Sequence, residues 1–176
     1  MKVFKSILVL CLLMLVSSAI GQTQKDNKLI EDAKTAKETL LKTDSSLERF
    51  FKKSAGFVIF PNVGKGGFII GGASGNGVVY EKSKAIGMAD LKKLNIGLQA
   101  GGQAIIEVIF FETSVDLDRF KAGKFEFAAE ASAVALKSGI AVNAKYKDGV
   151  AVFALPKAGL MADASVGGQK FSYHPF

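Results

Sequence analysis

The sequence predicts an α+β domain in which an N-terminal amphipathic helix packs on an antiparallel sheet that is curled into a sandwich or partial barrel. The helix is indicated by apolar residues that recur at three- and four-residue steps between Lys25 and Lys53. The sheet is indicated by short apolar runs separated by glycine-rich turns. Helices do not alternate with strands, so a parallel βαβ arrangement is not expected. With 49% hydrophobic and 22% charged residues, the chain has the composition of a single globular domain.

The first 21 residues have the three-part layout of a secretory signal. Lys2 and Lys5 precede an apolar run at positions 7–16, and small residues lead up to Gly21. A retained anchor is the alternative, but the run is shorter than the ~20 residues that span a bilayer. We expect cleavage after Gly21, one domain over residues 22–176, and export to the periplasm or secretion. The one cysteine, Cys11, lies inside the run, so no disulfide or thiolate metal site is expected in the mature protein.

The segment from Lys25 to Lys53 is expected to break near position 44, where Asp44 or Ser45 can cap a second helical piece. Its apolar stripe consists of Leu29, Ile30, Ala33, Ala36, Leu40, Leu41, Leu47, Phe50 and Phe51. A basic amphipathic helix can lie in a membrane interface. Acidic residues are interspersed among the lysines, however, so we expect this helix to pack on the sheet and to expose an ordinary solvated face.

The stretch from Phe60 to Tyr80 contains seven glycines between Gly64 and Gly77. The runs 68–70 and 78–80 are predicted as strands, and Asn76-Gly77 is predicted as a hairpin turn because both turn positions need positive φ. Most of these glycines are expected to build turns or to allow close backbone approach. The spacing of a phosphate-binding loop or of a dinucleotide-binding turn is not present, so nucleotide binding is not expected.

The middle of the chain is predicted to alternate between polar connections and strands. Residues 82–93 are expected to form a loop or a short helix, and residues 95–111 two strands joined at Gly101-Gly102. The second of these strands, 105–111, has apolar side chains on both faces and is expected to be central. A short helix over 113–120 is predicted to be capped by Thr113 or Ser114. Residues 125–130 alternate like a strand with one wet face.

Three further strands are predicted over 140–146, 150–155 and 160–166, and Asp148-Gly149 is expected to form the hairpin turn between the first two. The sole histidine, His174, is the third residue from the end of the printed sequence and is expected to sit on a mobile tail. A histidine-based triad or metal site is therefore not expected.

The carboxylates show no spacing that implies a catalytic pair, and we expect no enzyme. The candidates are Glu107, Asp116, Asp118, Glu126, Glu130 and Asp163. Solvent-facing positions are expected for all of them except Asp163, which lies amid small apolar residues where a buried carboxylate would need a partner.

Three ordered motifs resemble the SYLF domain, a lipid-binding family. The first comprises Ala55 to Pro61, Lys65 before Gly66-Gly67-Phe68, the pair Gly71-Gly72, and Gly75 to Val78. The second is Ile96 to Gln103 and the third is Lys157 to Gly168. The resemblance extends over residues 28–171. It implies lipid or membrane-surface binding, and eukaryotic members bind phosphoinositides. For an exported chain we expect an anionic phospholipid instead.

An anion-binding site is predicted where glycine-turn amides and lysines meet. Its candidate residues are Lys65, Gly66, Gly67, Gly71, Gly72, Lys157 and Lys170. The formal net charge of +7, which loss of Lys2 and Lys5 would lower to +5, favours anionic partners. Nucleic acid is not expected because the lysines are dispersed and no recognition motif is present. No cofactor is expected. The alternative function is a structural or protein-interaction component of the cell envelope.

Overall fold

The computed structural model describes residues 24–64, 73–93, 104–125, 127, 133–157 and 168–176. Its seven strands form one sheet in the order β5-β6-β4-β1-β2-β3-β7, which is antiparallel except between β5 and β6 and is not closed. The strands are β1 (Gly56–Val63), β2 (Ala73–Glu81), β3 (Lys84–Lys93), β4 (Ile105–Phe111), β5 (Val134–Ala135), β6 (Val150–Pro156) and β7 (Gln169–Pro175). An N-terminal helix packs on this sheet, and the predicted α+β class is confirmed.

The N-terminal helical segment is broken where the sequence predicts. Helix α1 covers residues 24–43. A 3-10 turn (Ser45–Leu47) and helix α2 (Glu48–Lys53) follow it. The Asp44 side chain caps the turn by accepting a hydrogen bond from the Ser46 N–H at 3.0 Å. The apolar stripe of α1 is buried against the sheet, as at Ala33, Ala36 and Leu40. The expected packing role of this helix is confirmed.

The central strands are buried on both faces. On the outer face, Phe57 of β1 and Phe110 of β4 pack under α1 and α2. On the inner face, Phe60 of β1 and Phe111 of β4 join a second cluster that includes Phe171 of β7. Successive side chains of a strand point to opposite faces, so a strand can be apolar throughout only when both faces are covered. The predicted central position of 105–111 is confirmed.

Helix α3 (Ser114–Lys121) covers the inner face. Thr113 is its cap and forms a reciprocal capping box with Asp116, which satisfies backbone N–H groups that the first turn leaves free. Leu117 and Phe120 point inward and are fully buried. The predicted helix and its cap are confirmed. Asp116 was expected to face solvent, but its side chain is only 14% exposed because it belongs to the cap.

The prediction for the β2–β3 region is wrong in two respects. Residues 84–93 form strand β3, whereas a loop or short helix was predicted. The turn lies at Lys82 and Ser83, with φ of 48° and 66°, whereas Asn76 and Gly77 lie inside β2 opposite Asp90 and Ala89. Gly77 is needed there for close packing, because a Cβ would stand 2.6 Å from the Phe60 ring and 2.8 Å from the Ile59 carbonyl oxygen.

The structure of residues 140–175 differs from the prediction at residues 140–143 and at the C-terminal strand. Residues 140–143 form a 3-10 turn and not a strand. The Asp148-Gly149 turn is confirmed, with φ of 52° and 81°, and it leads directly into β6. His174, expected to sit on a mobile tail, lies instead in edge strand β7, which paired backbone hydrogen bonds hold against β3.

Some predicted strands cannot be compared. Those at 68–70 and 160–166, and the part of 95–111 up to the Gly101-Gly102 turn, lie outside the described residues. Of the predicted strand at 125–130, only Phe125 and Phe127 are described.

Replacing Gly77 by alanine is expected to destabilise the fold by about 1–3 kcal/mol, because the new methyl group must displace the Phe60 ring or the β1 backbone. Urea unfolding followed by circular dichroism measures this change. Ser74→Ala in the same strand is the control and should be nearly neutral. Equal stabilities of the two variants would show that Gly77 is not required for packing.

Replacing Asp44 by alanine is expected to cost about 1–3 kcal/mol at pH 7. Burial alone would raise the pKa of Asp44, but hydrogen bonds from Ser46 and from the Ala141 and Gly139 backbone outweigh it and lower the pKa below its ordinary value. Because the pKa of Asp44 is lower in the folded than in the unfolded protein, its ionised form stabilises the fold at any pH above the ordinary carboxyl pKa. This stabilisation is lost as the pH falls through the pKa of the folded state.

The stability gap between Asp44→Ala and the unmodified protein should therefore narrow below about pH 4. Thermal unfolding between pH 2 and 7 measures it, with Glu38→Ala, an exposed change on α1, as the control. A gap that stays constant over this range would contradict the assigned role of the Asp44 charge.

Candidate functional site

Three glycine-rich connections join the described fold at one end of the sheet. Residues 65–72 link β1 to β2, residues 94–103 lie between β3 and β4, and residues 158–167 lie between β6 and β7. The strand ends that flank them are neighbours in the sheet, since Val63 pairs with Ile105, Ile105 with Pro156, and Lys93 with Gln169. The three motifs of the family resemblance therefore meet the sheet at the same end, although they are far apart in sequence.

Two of the predicted site residues are described, and both are exposed at this end. Lys157 follows β6, and Lys170 is the second residue of β7. Four strands separate β6 from β7 in the sheet order, so the structure brings these lysines to the same end without placing them in contact. The other predicted residues, Lys65, Gly66, Gly67, Gly71 and Gly72, lie outside the described residues.

The sequence analysis missed Lys92, which is the direct cross-strand partner of Lys170. Their neighbours Leu91 and Phe171 belong to the inner cluster, so both lysine side chains stand on the outer face, where both are exposed. Like charges directly opposite each other in an antiparallel pair are destabilising. The alternation of Ala89 and Leu91 with polar residues was the signal that could have revealed this strand.

The carboxylate of Asp90 lies on the same face, two residues before Lys92 in β3. The Asn76 Nδ2 group donates to Asp90 Oδ1 at 2.5 Å, and the Nε2 atom of His174 lies 3.0 Å from Asp90 Oδ2. Asp90 is thus already engaged by an amide and an imidazole. It offsets only part of the positive charge of Lys92 and Lys170.

An open groove of about 620 Å³ runs between α1 and the ends of β1, β4 and β6. Apolar side chains such as Leu29, Ile106 and Leu155 line it, and Lys157 stands at its margin. A second groove of about 540 Å³ lies on the other side of α1, beside Asp90 and His174. Both grooves have a mixed polar and apolar lining that includes Asp32. The outer face therefore combines partly apolar grooves with exposed cations at the end where the glycine-rich connections join.

Glu107 of β4 was expected to face solvent, and this prediction is wrong. The residue is fully buried on the inner face, where Gln169 of β7 donates from Nε2 to Glu107 Oε2 at 3.0 Å. Three strands, β1, β2 and β3, lie between β4 and β7 in the sheet order, so this bond requires the sheet to curl. The curling of the sheet buries the Glu107 carboxylate. The periodicity of the sequence does not predict this curling.

Other predicted carboxylates have structural partners. Asp118 pairs with Lys121 at 2.8 Å, and Asp116 belongs to the α3 cap. Glu126, Glu130 and Asp163 lie outside the described residues. Within the described ranges no group of three or more histidine, cysteine or acidic side chains is placed to hold a metal ion. No helix in those ranges is long and apolar enough to cross a membrane.

Comparison with known proteins gives one informative similarity. No protein-family model matches the chain. The chain is similar to Beta cell expansion factor A of Aeromonas veronii, with 30% identity over 141 residues. The aligned region is 79% of this chain and 53% of that protein, so the chain spans about half the length of the curated relative it matches.

Replacing Gln169 by leucine is expected to destabilise the protein by about 1–2 kcal/mol, because the buried Glu107 carboxylate loses a hydrogen-bond donor. Loss of the buried Gln169 Oε1 atom, which has no hydrogen-bond partner in the described structure, offsets part of the cost. Urea unfolding at pH 7 measures the change against Ser172→Ala, an exposed substitution on β7. Equal stabilities would show that the Glu107–Gln169 bond does not hold the curl.

Proposed function

We propose that this chain is an exported SYLF-type protein without enzymatic activity that binds membrane surfaces by recognising anionic phospholipid headgroups. The observation that carries the proposal is the exposure of Lys92, Lys157 and Lys170 at one end of the outer face, where Lys92 lies opposite Lys170 and four strands lie between Lys157 and Lys170. This is the end at which the three motifs resembling the SYLF domain meet the sheet. The similarity to Beta cell expansion factor A is compatible with this proposal but supplies no ligand.

The opposed pair Lys92 and Lys170 supports an anionic ligand on energetic grounds. Two ammonium groups held opposite each other repel, and a phosphate between them would turn that repulsion into attraction. Both side chains are exposed, so a headgroup can approach without prior rearrangement of the core. The ammonium group of lysine is a strongly hydrated point charge on a flexible stem. It is therefore better suited to a diffuse anionic surface than to bidentate binding in a rigid pocket.

The groove of about 620 Å³ beside α1 favours an amphiphilic ligand over a small free anion. Its apolar wall adjoins Lys157, so one ligand with a charged head and an apolar tail would satisfy both. The groove is open, which suits lipid that remains partly in a bilayer.

The envelope-interaction alternative receives less support from the sheet edge. A flat apolar edge strand would favour assembly with another chain. Strand β7 pairs only with β3 in the described sheet, yet it carries exposed Lys170, Ser172 and His174 and ends at Pro175. Charged residues and proline are typical of edges that resist pairing.

The mature chain should co-sediment with anionic vesicles of phosphatidylglycerol and phosphatidylcholine but not with pure phosphatidylcholine vesicles, and binding should weaken as salt is raised. The double variant Lys92→Gln/Lys170→Gln is expected to bind about thirtyfold more weakly, since each lysine near an anionic surface contributes about 1 kcal/mol.

The matched control is Lys82→Gln/Lys84→Gln, which removes two exposed lysines at the other end of the β2–β3 hairpin. It should change the binding constant by no more than about twofold. Equal losses of vesicle affinity in the two double variants would contradict headgroup recognition by Lys92 and Lys170. Vesicle binding that does not depend on salt concentration would contradict it as well.

A further inference from the structure

The 3-10 turn Ile140–Asn143 displays two apolar side chains to solvent. Ile140 is 42% exposed and Val142 is 55% exposed, whereas Ala141 between them is fully buried in the outer cluster. Large apolar side chains this exposed are few in the described structure, the others being Val115 and Phe176. Two of them on one short turn make this turn the candidate for a contact surface, provided that the surrounding charge fits a partner.

The turn is held firmly in this position by side chains of the helical layer. The Ala141 N–H donates to Asp44 Oδ2 at 2.8 Å. The Arg49 guanidinium donates from Nη2 to the carbonyl oxygens of Ala141 and Ala144, at 2.7 and 2.5 Å. Its carbon lies 4.6 Å from the centre of the Phe50 ring. Exposure of Ile140 and Val142 is thus a consequence of the fold and not of fraying.

Positive charge surrounds these two side chains along the chain. Lys137, Lys145 and Lys147 are all exposed, and over residues 137–148 they are opposed by Asp148 alone. Apolar side chains flanked by lysines are the combination that binds the interface of an anionic bilayer, where apolar groups enter the acyl boundary and ammonium groups remain among the headgroups. A protein partner would have to match the same cationic rim.

We propose that the turn Ile140–Asn143 is a membrane-inserting tip, with Ile140 and Val142 entering an anionic bilayer and Lys137, Lys145 and Lys147 contacting its headgroups. This inference rests on the proposed function, namely that the protein binds lipid surfaces. It adds a second contact that neither the family resemblance nor the predicted site contains.

The position of the turn is compatible with simultaneous contact at both ends of the molecule. The turn precedes β6, and Lys157 follows β6 at its opposite end. Ala141 packs in the same outer cluster as α1, and Lys92 and Lys170 stand on the same face of the sheet. The tip and the lysines Lys92 and Lys170 therefore border the same face of the sheet, at opposite ends of it.

A tryptophan reporter tests the tip directly, because the chain contains no tryptophan. In Val142→Trp, emission should shift to shorter wavelength on addition of phosphatidylglycerol–phosphatidylcholine vesicles and should be quenched when the lipid carries brominated acyl chains. The matched control is Val115→Trp on α3, where the valine is 65% exposed on the inner-face side of the molecule. Its emission should not change.

A second pair of variants measures the contribution to binding. Ile140→Ser/Val142→Ser is expected to weaken vesicle co-sedimentation about tenfold, because it removes the apolar atoms that would leave water. Val115→Ser should remain within about twofold of the unmodified protein. Both changes are at exposed positions, and circular dichroism confirms that each variant is folded.

The outcomes separate this inference from the proposed function. Co-sedimentation of Val142→Trp without a shift in its emission would contradict insertion of the tip, as would unchanged vesicle binding of Ile140→Ser/Val142→Ser. Either result would still be consistent with headgroup binding by the lysines. A shift in Val142→Trp together with full binding by Lys92→Gln/Lys170→Gln would support the tip and overturn the lysine site. Failure of the unmodified chain to co-sediment with either vesicle would overturn both.

Discussion

Burial of β1 and β4 on both faces is the constraint on which the rest of the structure depends. Each strand is apolar at nearly every position, so each needs one layer above it and another below it. Helices α1 and α2 supply the outer layer. On the inner side, α3 covers part of the surface, and the sheet curls until Phe171 of β7 approaches Phe60 of β1, with 5.9 Å between ring centroids.

Buried polar contacts then fix the layers relative to one another. Asp44 and Arg49 link the helical layer to the turn at 140–143. Glu107 and Gln169 link β4 to β7 across the curled inner face. Apolar burial has little directional preference, whereas hydrogen bonds inside a protein are specific in geometry and costly to leave unmade. These two links therefore select one arrangement among the many that would bury similar apolar area.

The same layering leaves the two ends of the outer face with different exposed groups. Its middle is covered by α1, and its two ends carry the exposed groups: Lys92, Lys157 and Lys170 at one end, and the apolar turn at the other. The lysine end could be predicted in part, because Lys157 and Lys170 lie in or beside glycine-rich motifs. Lys92 could not, because its pairing with Lys170 depends on the β3–β7 register, which joins residues far apart in sequence.

Elements with local causes could be predicted from the sequence: the stripe of α1, the Asp44 break, the Thr113 cap, the Asp148-Gly149 turn and the apolar strand β4. Three other features depend on contacts between distant segments. Gly77 lies within a strand because β2 pairs with β3 on both sides of it, residues 140–143 form a turn because Asp44 and Arg49 bind their backbone, and Glu107 is buried because the sheet curls. Periodicity and capping act over a few residues, whereas these three outcomes depend on contacts between segments that only the folded chain brings together.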